Sequence, residues 1–65
     1  MNDSIPVVLK KLPGKVRGFC CLGSDYEPII VINEDLSPYE QRKVYQHEKR
    51  HIERGEIWDP TFHEY

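Results

Sequence analysis

Residues 37 to 55 are the stretch whose start, course and stop can all be read from the residues themselves. Ser37-Pro38-Tyr39-Glu40 carries the signature of a helix N-terminus. The Ser37 hydroxyl can cap, proline suits the first helical position, and Glu40 three residues on closes a capping box. Nothing breaks the pattern until Gly55, which follows Arg54 as a C-terminal stop behind a basic last turn. The spacing predicts a helix of about four and a half turns. A 65-residue chain that spends so much of its length on one helix has room for one domain, spanning 1–65, and for a small partner layer against which to bury the helix. Such a chain buries only about 60% of its unfolded surface, so its core is marginal without help.

Inside this helix stands His47-Glu48-Lys49-Arg50-His51, an H-E-x-x-H run. Residues four apart share a helix face at about 5–6 Å between Cβ atoms, so both imidazoles can reach one zinc ion while Glu48 stands beside the site as a general base. With three His and seven Glu in the chain, composition alone yields such a pentad in roughly 1 chain in 100. At about 100° per residue, Val44, Tyr45, His47, Glu48, His51 and Ile52 share one half of the wheel. Arg42, Lys43, Gln46, Lys49, Arg50, Glu53 and Arg54 share the other. The histidines are therefore expected on the inward side, with the cations on a solvated outer face. Tyr39 and Tyr45 are expected to cover core.

Ahead of the helix the chain reads as sheet, giving an α+β domain. Ile5 to Leu9 is a short apolar stretch, Pro13-Gly14 marks a turn, and Lys15 to Leu22 is a β-leaning run interrupted by Gly18. After a turn at Gly23-Ser24-Asp25, Ile29-Ile30-Val31-Ile32 is the strongest strand signal, left at Asn33-Glu34-Asp35. Cys20 and Cys21 are adjacent, and neighbouring strand residues point to opposite faces. They are expected as thiols rather than a disulfide, one buried and one exposed. The formal charge of −2 with both signs interspersed argues against a nucleic-acid or membrane binder. The absence of a long apolar run and of a signal-peptide pattern leads to an expectation of a cytoplasmic chain.

Taken together, Leu12-Pro13-Gly14, Gly18-Phe19, Ile29-Ile30-Val31-Ile32-Asn33, Leu36-Ser37, Glu40-Gln41-Arg42 and His47-Glu48-x-x-His51-Ile52 followed by Gly55 resemble the ImmA/IrrE-type zinc metallopeptidases of bacteria, prophages and mobile elements. The resemblance covers residues 12 to 56. It implies a minimal zincin-like fold, with a small antiparallel sheet of about three strands packed on the HExxH-bearing helix. The strand from Ile29 to Asn33 would accept an extended substrate by strand addition. It also implies zinc as cofactor, held by His47 and His51 with Glu48 as general base, and a phage-type or stress-response repressor as protein substrate. The metzincin extension is not met, since Arg54 stands where its glycine would be. A third ligand is expected from the segment after the helix. His63 and Glu64 come first, because a turn at Asp59-Pro60 could return the tail to the metal, and Asp59 and Glu56 come next.

Three functions fit these residues: a zinc-dependent endopeptidase of narrow specificity, a catalytically weak zincin that binds zinc and a regulatory protein, and a structural zinc domain. They stand in that order, and a homo-oligomer is left open.

Overall fold

The computed structural model describes residues 5–58, which form three strands, one α-helix and a closing 3-10 turn. The strands are β1 (Val7–Lys10), β2 (Gly18–Leu22) and β3 (Pro28–Asn33), and the helix α1 spans Pro38–Glu53. A 3-10 turn, Glu56–Trp58, ends the described chain. The sheet order is β1-β3-β2.

β3 lies at the centre because it is the run that can be buried from both sides. Ile30 and Ile32 face the helix and Val31 the opposite side, and all three are buried. β2 joins β3 antiparallel through a tight turn in which Gly23 N–H donates to Glu27 O at 2.8 Å. Asp25 Oδ1 accepts from Glu27 N–H at 3.1 Å, and Tyr26 takes a positive φ of 65°. β1 pairs with β3 in parallel, Val7 opposite Ile30. The sheet is therefore mixed, where an antiparallel one was expected. The cause is the connection from β1 to β2, which crosses the end of β3 instead of folding straight back. Asn33 pins that crossing, because its Nδ2–H donates to Val16 O at 2.9 Å and its Oδ1 accepts from Asp35 N–H at 3.0 Å.

Central placement also overturns the expectation that Ile29 to Asn33 could accept a further strand. Both flanks of β3 are taken by β1 and β2. A continuous apolar run marks a strand covered on all sides, which is the wrong place for an open edge. Among the described residues the outer strands are β1 and β2. Ile30 and Glu34 donate to Pro6 O and Lys10 O, both at 3.0 Å, so Val7 and Leu9 turn their backbone groups outward.

The helix starts as its residues dictate. Glu40 N–H donates to Ser37 Oγ at 3.2 Å while the Glu40 carboxylate accepts from Ser37 N–H at 3.5 Å. Gln41 Nε2–H donates to Leu36 O at 2.9 Å, tying the first turn to the loop before it. Gly55 ends the helix at φ 75°, with its N–H on Ile52 O at 3.0 Å. α1 lies over β2 and β3, and the 3-10 turn touches both α1 and β2. The core between these layers is Cys20, Ile30, Ile32 and Val44, with Ile5, Leu36, Tyr45, Ile52 and Ile57 packed around it. Each fully buried aliphatic side chain contributes about 1.5–3 kcal/mol. Tyr39, expected over the core, is 67% exposed and lies under the Lys43 ammonium, 5.3 Å from its ring centre. No disulfide joins the cysteines: Cys20 is buried and Cys21 exposed. No helix among the described residues is long and apolar enough to cross a membrane.

Candidate functional site

One helical turn separates His47 from His51 on α1, and their rings meet edge to face with centroids 4.6 Å apart and planes at 78°. The two Nε2 atoms face each other at 2.9 Å. A tetrahedral zinc with Zn–N bonds of about 2.0–2.1 Å would hold the two nitrogens about 3.3 Å apart. The observed separation of 2.9 Å is shorter than that.

On its other edge His51 has a second partner. Its Nδ1 lies 2.5 Å from Glu56 Oε1, and the second oxygen of that carboxylate is 3.6 Å from Arg54 Nη1. The contact follows from the helix stop, since the left-handed backbone at Gly55 folds the next residue back over the last helical turn. The hydrogen bond with His51 holds the Glu56 carboxyl below its ordinary range. Partial removal from water works against it, and the charges of His51 and Arg54 add to it. The carboxylate is thus ionised at neutral pH and accepts a hydrogen bond from the Nδ1 edge of the His51 ring.

The burial of the three motif residues departs from the helical wheel. His47 is exposed and His51 half-buried, whereas Glu48 is 0% exposed. The wheel assigns half the circumference to the inside. A helix lying on two strands buries a narrower stripe, here Val44 and Glu48. The histidines stand on the shoulder of that stripe, and Glu48 lies on its core side.

Two imidazole nitrogens converge, and one of the rings has a carboxylate on its far edge; these are donor types that zinc sites use. Of the residues expected to supply a third ligand, His63, Glu64 and Asp59 lie outside the described residues. Glu56 lies within them, on the wrong side of the His51 ring to share an ion bound at Nε2. Among the described residues no group of three or more His, Cys, Asp or Glu side chains is gathered to hold a metal. The sequence reading missed the placement of Glu56 and Arg54 beside His51. An acid immediately after a helix-ending glycine is the signal that points to it. No family model matches the chain, and neither a curated protein nor a solved structure is found to be similar to it.

Proposed function

We propose that the chain is a zinc-dependent metalloendopeptidase of narrow specificity, acting on a repressor-like regulatory protein. The observation that carries the reading is the pair of imidazole nitrogens, 2.9 Å apart on one helix shoulder, within an H-E-x-x-H run. Its resemblance to the ImmA/IrrE-type peptidases adds the class of substrate. His47 and His51 would hold the metal. Zinc bound there would lower the pKa of a coordinated water to about 7 and polarise a peptide carbonyl. Glu48 would accept the proton of the attacking water and hand it to the leaving amine. His47 stands on the exposed shoulder of the helix, and among the described residues the outer strands to which an extended polypeptide could add are β1 and β2.

One observation favours a second reading. Glu48 has no exposed surface, and an acid kept from solvent does not meet a substrate unless the site rearranges. A protein that binds zinc and a regulatory partner without cutting needs no such rearrangement.

Glu48→Gln separates the two. The peptidase reading expects the variant to keep its zinc by elemental analysis and to lose cleavage of a co-expressed phage-type repressor, followed by mass spectrometry. A wild type that binds the repressor and never cuts it selects the binding protein.

A further inference from the structure

Glu56 stands apart from the motif in sequence and meets it in space. It comes five residues after His51, beyond the helix, on the 3-10 turn that packs against α1 and β2. Its carboxylate lies against His51 Nδ1 within hydrogen-bond distance, and an ionised acceptor makes such a bond charge-assisted. Its other oxygen is turned toward Arg54, so the carboxylate is held from two sides.

An imidazole can bind a metal through Nε2 only when that nitrogen has its lone pair. Isolated neutral histidine exchanges its proton between the two nitrogens, and a carboxylate beside Nδ1 settles the matter in favour of Nδ1–H. The same hydrogen bond fixes the ring about its χ2 axis. It also makes Nε2 a better donor to a cation, because negative charge is drawn toward the ring. All three effects act on the nitrogen that faces His47.

We propose that Glu56 is a positioning residue for the metal site: it fixes the tautomer and orientation of His51 so that Nε2 is directed at the ion shared with His47, and Arg54 steadies the carboxylate in that role. The assignment rests on the zinc reading above. It differs from the expectation that Glu56 is itself a ligand, since the two ring nitrogens lie on opposite edges and the carboxylate occupies the Nδ1 edge.

The test uses the whole chain, with zinc alone as probe and a chromophoric chelator as competitor. Removing an outer-shell partner of a metal-bound histidine costs about 10–100-fold in affinity, so Glu56→Ala is expected to release zinc to the chelator at a correspondingly lower competitor concentration. In the metal-free protein, nitrogen NMR of the ring is expected to find the proton on Nδ1 of His51 in the wild type. In Glu56→Ala it should be redistributed toward Nε2. A contact that merely tied the 3-10 turn to the helix would move stability and leave the ring signature as it was.

Glu56→Gln keeps an acceptor and loses the charge, and is the variant to read if Glu56→Ala does not fold. Its expected affinity lies between wild type and the alanine level. A wild type that binds zinc, with Glu56→Ala or Glu56→Gln matching it in affinity and ring protonation, overturns the Glu56 assignment alone. A wild type that takes up no zinc overturns the metal reading and the Glu56 role together.

Discussion

Gly18 has no room for a side chain. A Cβ built there would lie 2.6 Å from Val44 Cγ1 and 2.7 Å from the backbone oxygen of Val31. The valine methyl could turn aside, but the strand oxygen is fixed by the sheet. Gly18→Ala is therefore expected to push α1 from β2 at a cost of about 1–3 kcal/mol. The thermal midpoint, followed by circular dichroism, should fall by roughly 4–8 °C per kcal/mol, and an unchanged midpoint would show that the helix does not pack so closely. The sequence marked Gly18 only as an interruption in a β-leaning run, because the crowding comes from a residue 26 places later. The site was legible in a similar measure. His47, Glu48 and His51 could be named from their spacing, but their exposures could not. Spacing fixes angles around a helix, and the width of what covers the helix decides which angles are buried.

At the scale of the element, α1 is the part most fully written in the residues. Its cap, its first proline and its stop fall where the sequence places them, Ser37, Pro38 and Gly55, because each acts on its own backbone or on the next turn. Ser37→Ala removes the oxygen that accepts from Glu40 N–H and is expected to cost about 1 kcal/mol, read as a lower urea midpoint with an unchanged slope. A midpoint equal to wild type would mean that the capping box is idle. The strands were legible as elements and not as partners. Val7, Val8 and Leu9 are all exposed, so β1 shows no alternation from which a buried face or a pairing could be inferred. Its direction is set by Asn33 and the loop crossing β3, contacts between residues 17 places apart that no local pattern records.

Among the described residues the cluster between helix and sheet has four buried side chains and their partly buried neighbours, a small core that leaves a narrow stability margin. Any ion that binds only the folded chain widens it, by about 2.7 kcal/mol when free metal stands at 100 times its dissociation constant. The wild type is expected to melt at a higher temperature with zinc than with a chelator. In His47→Ala the two melting curves should coincide, since one of the two facing nitrogens is gone. A zinc-dependent shift that survives in His47→Ala would place the ion elsewhere. The topology was legible at this scale only as α+β, since the burial of a small sheet depends on which strand is central.

The parallel pairing of β1 with β3 reaches from Val7 to Ile30, across the whole of β2 and both loops. Hairpin and helix can assemble from neighbours in the chain, whereas β1 must wait for a long loop to close. β1 is therefore expected to be the last strand to join as the protein forms and the first to exchange its amide hydrogens as it opens. Loss of β1 alone would leave a two-stranded ribbon with one flank of Ile30 and Ile32 uncovered.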